Sequence, residues 1–113
     1  MKHMIISVAA LATMTACMDA TVTPDPITQA VSGRTLVAGD TRLTAGANGA
    51  LVGTLASGDT LSGVWRIKGG KWCRTLTQPE RFAGPEVCQG AALTDGQLVI
   101  IGSNGRPTTY VIE

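Results

Sequence analysis

The chain has 113 residues, nine Lys or Arg against eight Asp or Glu, and a formal net charge of +1. That length gives one domain, and the charge balance argues against a general nucleic-acid binder. The single His is His3, inside the leader described next, so the rest of the chain has no imidazole for general-base work.

Residues 1–16 open with Lys2, run through an apolar stretch from Met4 to Met14, and end on the small residues Thr15 and Ala16. This is the anatomy of a secretory signal peptide. From Ile5 to Ala16 the run is too short to cross a hydrocarbon core of about 30 Å as a helix. The quartet Met14-Thr15-Ala16-Cys17 resembles the lipobox of bacterial lipoproteins, with Met14 where Leu is usual. The resemblance implies cleavage after Ala16, a diacylglyceryl group on the Cys17 sulfur and acylation of the new amine. Stable anchoring takes two or more hydrophobic attachments, so the membrane is the first expected partner. Because Met18 rather than an Asp follows Cys17, the resemblance implies the outer membrane rather than the inner, with the domain in the periplasm. A plain secretory signal with Cys17 incidental is the alternative.

Residues 17–32 hold Thr, Pro, Asp, Gln and Ser with few large apolar side chains, which predicts a flexible tether stiffened by Pro24 and Pro26. From residue 33 to 113, short apolar or β-branched runs alternate with glycine turns. The runs are Arg34–Ala38, Thr41–Ala45, Leu51–Leu55, Leu61–Lys68, Lys71–Thr77, Val87–Leu93, Gln97–Gly102 and Thr108–Ile112. Gly69-Gly70, Asp95-Gly96 and Asn104-Gly105 between such runs are strong hairpin signals. The expectation is a single all-β domain, an antiparallel meander of about seven to eight strands rolled into a barrel or folded as a sandwich. No stretch after the leader shows a helical period.

A core this small often needs a staple. With Cys17 lipidated, Cys73 and Cys88 remain as an even pair in an exported chain, which predicts a disulfide. Two free thiols or a metal site are the alternatives, and two Cys without His make a poor zinc site. No cofactor is expected.

The Gly69-Gly70 turn fixes a register: Lys68 faces Lys71, Ile67 faces Trp72, Arg66 faces Cys73 and Trp65 faces Arg74. By period two, Leu61, Gly63, Trp65, Ile67, Trp72, Arg74 and Leu76 share one face. Arg66, Lys68, Lys71 and Cys73 share the other. The Asp95-Gly96 turn sets Leu93 opposite Leu98 and puts Cys88 on the face away from Val87 and Ala91, where it can meet Cys73.

Six residues are candidates for partner binding: Trp65, Arg66, Lys68, Trp72, Arg74 and Phe82. Arg74 lies on the apolar face, where an isolated charge is costly. It either binds an anion at the barrel mouth or pairs with Glu80, Glu86 or Glu113. Arg66 and Lys68 either form a basic patch for an acidic partner or headgroups, or are a solvated strand face. Phe82, on the loop Gln78–Glu86 within the disulfide ring, either projects toward a partner or folds back over the barrel end. The expected site joins Trp65, Trp72 and Arg74 at one end of the barrel under that loop.

Nothing points to an enzyme: there is no His for proton transfer, no free Cys and no Gly-x-Ser-x-Gly elbow. The stretch Leu61-Ser62-Gly63-Val64-Trp65-Arg66-Ile67 resembles, with Lys71-Trp72-Cys73 and Cys88, small disulfide-bonded envelope lipoproteins with a Gly-x-Trp opening. Among these it is similar to bacterial protease inhibitors of the alkaline-protease-inhibitor type. That resemblance implies an eight-stranded barrel and covers roughly half the chain. Two functions follow as expectations. The first is a monomeric, membrane-anchored periplasmic binding module for an envelope partner, with inhibition of a hydrolase as its sharpest form. The second is a structural envelope lipoprotein with no defined ligand site. A binding module should show a lumen or an exposed patch around Trp72 and Phe82, and a structural protein a filled barrel.

Overall fold

Two-residue turns set the architecture. At Gly69-Gly70 both glycines have positive φ, +59° and +77°, a conformation whose twist matches that of the flanking strands. The computed structural model describes residues 25–113. The leader, Cys17 and the tether up to residue 24 lie outside the described residues. Eight antiparallel strands follow one another: β1 (Arg34–Ala38), β2 (Thr41–Ala45), β3 (Ala50–Thr54), β4 (Thr60–Lys68), β5 (Lys71–Gln78), β6 (Val87–Thr94), β7 (Gln97–Ile101) and β8 (Pro107–Ile112). Each pairs with its sequence neighbour, and β8 returns to β1 to close a barrel. The seam pairs Leu36 with Ile112 and Val37 with Val111. The Thr35 and Glu113 backbones extend it with bonds of 3.2 and 2.8 Å in the two directions. Closure leaves no open sheet edge and decides for a barrel over a sandwich.

The registers at Gly69-Gly70 and Asp95-Gly96 are those the turns dictate: Trp65 opposite Arg74, Ile67 opposite Trp72, Leu93 opposite Leu98. Cys73 stands opposite Cys88, and the two are joined by a disulfide. Alternation places this bond on the outer side of the barrel, although Cys73 itself is wholly covered.

The barrel interior is filled by inward residues at period two, chiefly Leu36, Leu51, Trp72 and Leu98, each almost completely buried. Trp65 and Trp72 stack at the centre with ring centroids 5.5 Å apart and planes 13° from parallel. Two inward glycines let neighbouring strands approach one another closely. A Cβ on Gly53 would strike the Arg42 carbonyl and the Leu43 backbone, and one on Gly63 the Thr75 carbonyl and the Leu76 backbone. The chain also bulges between Ser62 and Gly63. Such glycine kinks and bulges let strands bend sharply enough to close a small barrel.

One expectation is corrected. The last residues of the expected tether form a helix, α1 (Pro26–Val31). Asp25 caps it, accepting the N–H groups of Ile27 and Thr28 at 2.9 and 3.0 Å, and Pro26 occupies the first turn, where its missing N–H costs nothing. Ile27 and Val31, four apart on one helix face, are buried in the core. The helix packs on β1, β4 and β6 and so lies across the barrel end that holds the Gly69-Gly70 and Asp95-Gly96 turns. Composition alone had marked Pro26 as a spacer, whereas its position after Asp25 makes it a helix start.

Candidate functional site

The opposite end of the barrel is open. Between the strand ends that lead into residues 55–59, 79–86 and 102–106 lies a cavity of about 170 Å³. Leu43, Leu55, Leu61, Leu76 and Ile100 form its walls, and Trp72 lies beneath. Among this apolar lining stand Arg74, Gln89 and Tyr110, with Thr41 and Thr108 nearer the mouth.

Arg74 is placed by strand alternation, one step along the inner face of β5 between Trp72 and Leu76. Its Nε donates to Gln89 Oε1 at 3.2 Å, and Gln89 Nε2 donates to the Ile101 carbonyl at 3.1 Å. Burial pulls the Arg74 pKa down, and the nearby Tyr110 phenol opposes that shift. An arginine so placed remains cationic at neutral pH. Burial likewise pushes the Tyr110 phenol up, against the pull of Arg74.

No carboxylate meets Arg74 among the described residues. Glu86 accepts both Nε and Nη2 of Arg66, at 2.6 and 2.7 Å, a bond that holds its carboxyl below the usual range. Glu113 pairs with Arg42 at 3.1 Å. Glu80 enters no ion pair among the described residues. Pairing of Arg74 with Glu80, Glu86 or Glu113 is therefore absent, and its one hydrogen-bond partner among the described residues is a neutral amide.

The loop between β5 and β6 forms the rim. A short 3-10 turn, Glu80–Phe82, brings Phe82 to the cavity mouth with about half its surface exposed. Arg81 lies 4.7 Å from the Phe82 ring centroid and bridges to Asp59 at 2.8 Å, fastening the loop to the β3–β4 turn. Phe82 thus neither plugs the barrel nor projects freely.

Of the six sequence candidates, Trp72, Arg74 and Phe82 come together at this cavity. Trp65 does not reach it. Its indole N–H donates to the Gly46 carbonyl at 2.9 Å, on the α1 side of the Trp pair. Arg66 and Lys68 are exposed on the outer face, with Arg66 already engaged by Glu86. Trp72 is buried, so no exposed Trp72 patch exists. Gln89 and Tyr110 were missed by sequence reasoning. The signal was present for Gln89, which falls between Val87 and Ala91 on the face already read as inward. Outside the barrel, Glu86 lies close to the two cysteine sulfurs, but sulfurs bonded to each other offer no thiolate to a metal.

Comparison with known protein families, with curated proteins and with solved structures gave no match.

Proposed function

We propose that this chain is a membrane-anchored periplasmic lipoprotein, held by lipid on Cys17, whose barrel is a binding module with its site at the open end. The carrying observation is Arg74: a half-buried cation in a cavity walled mainly by apolar side chains, with no carboxylate to balance it among the described residues. A barrel built only for stability gains nothing from such a charge, because replacing it with an apolar side chain removes a desolvation cost. The placement of α1 supports the same reading. Asp25 and α1, the first described residues after Cys17, lie at the end of the barrel opposite the cavity and so leave its mouth uncovered. In the sharper form of the proposal the partner is a hydrolase, and the Phe82 rim, held by the disulfide and by Arg81, is preorganised to meet it. The structural-lipoprotein reading draws on the centre of the barrel, which Trp65, Trp72, Leu36, Leu51 and Leu98 fill.

Thermal melts of Arg74→Leu decide between the two. A binding module predicts unchanged or raised stability, whereas a structural brace predicts a loss of about 1–3 kcal/mol from breaking the bond to Gln89. Membrane fractionation tests the anchor: Cys17→Ser should move the protein from the membrane to the soluble fraction. A mature N-terminus at any residue other than Cys17 would refute lipidation.

A further inference from the structure

We infer that the cavity takes a small carboxylate, a monoanion whose carboxyl group pairs with Arg74 and whose short apolar body fills the space above Trp72. The inference rests on the binding-module reading and gives it a ligand class. Three observations define that class.

The first is charge. Among the described residues, Arg74 is the one charged side chain lining the cavity. A single negative charge neutralises it, whereas a doubly charged phosphate would leave an excess charge to be desolvated among leucines.

The second is geometry. Nε of Arg74 is committed to Gln89, while neither terminal nitrogen makes a hydrogen bond among the described residues. That end of the guanidinium fork matches the two oxygens of a carboxylate. Tyr110, close enough for the two groups to influence each other's titration, is held in its neutral, donating form.

The third is size. A cavity of about 170 Å³ is close to the roughly 150 Å³ engineered apolar cavity, in another protein, that accepts benzene. A phenyl ring or a short branched alkyl group fits, and a long acyl chain does not. A free aryl or alkyl acid and the C-terminal residue of a peptide ending in leucine or phenylalanine share this chemistry.

The test uses the full chain carrying Cys17→Ser, so that neither lipid nor a third thiol interferes. Tryptophan fluorescence and thermal melts are followed with phenylpropionate, phenylpropanol, phenylpropylamine, and a short leucine-terminated peptide with a free or amidated C-terminus. Phenylpropionate should perturb the fluorescence and raise Tm, with the alcohol roughly tenfold to a hundredfold weaker and the amine weaker still. In Arg74→Leu the acid should lose its advantage while the alcohol still binds, which also reports an intact cavity. Leu55→Trp, which fills the mouth, should abolish both. Tighter binding of the peptide than of the free acid, lost on amidation, assigns the carboxylate to a polypeptide end, and the reverse order assigns it to a free acid. Equal binding of acid and alcohol would overturn the carboxylate while leaving a binding module in place. No response to any probe would also overturn it, and the Arg74→Leu melt then judges the module separately.

Discussion

Tyr110 is the only tyrosine in the chain, so an absorbance titration reads its phenol without interference. Burial raises its pKa and the positive charge of Arg74 lowers it, with the raised direction prevailing. The folded state thus holds the Tyr110 proton at pH values where the unfolded chain, near pH 10, releases it. Stability is full below that range and falls as pH rises through it. The titration midpoint should lie above that of free tyrosine, and in Arg74→Leu it should climb further because the lowering charge is gone. A Tyr110 midpoint unmoved by Arg74→Leu would show that the two groups do not interact. At this scale the sequence spoke clearly about Arg74, since a cation at an inward strand position is conspicuous. It was silent about the missing counterion, because which of several carboxylates reaches a cation depends on how the loops fold. Glu86 was taken by Arg66, a pairing across twenty residues that no local pattern announces.

Among the elements, the strands were the most legible and the helix the least. A two-residue turn with positive φ fixes both the hairpin and its register, so the Gly69-Gly70 and Asp95-Gly96 pairs align β4 with β5 and β6 with β7 from sequence alone. A helix of six residues shows no period to recognise, and only its cap chemistry betrays it. Asp25 therefore makes a good probe. Slight burial raises its pKa, but the bonds from Thr28 and Ile27 outweigh this and lower it. A carboxyl depressed in the folded state adds stability above the ordinary Asp pKa near 4, and that stability is lost as pH falls through the folded value. Asp25→Ala should cost about 1 kcal/mol at neutral pH and flatten the acid limb of the stability profile. Loss of the helix should also expose Ile27, Val31 and the edge of Trp65, seen as a red shift of fluorescence.

For the whole molecule, the disulfide is the most accessible lever. It joins adjacent strands at a sequence separation of 15, and a loop of that length is worth about 3 kcal/mol in the chain-entropy account. Domains of this size have only about 5–15 kcal/mol in total. Reduction should lower the melting temperature clearly, and thiol titration of the oxidised Cys17→Ser chain should find no free thiol. The all-β class, the strand count and the Cys73–Cys88 pair were all readable from spacing and turn chemistry. The choice of a barrel over a sandwich was not, because it turns on whether the last strand returns to the first, and no turn connects them.

That return has a kinetic meaning. Every pairing except one joins strands adjacent in sequence, so hairpins can form quickly, each closing only a short loop. The exception, β1 with β8, brings Leu36 to Ile112 and must overcome the closure entropy of nearly the entire domain. It is therefore the natural last step of folding. Until it happens the chain is a curled ribbon with two bare edges, each able to accept a strand from a second copy. The interval before the seam closes is when this protein is most exposed to strand exchange and aggregation.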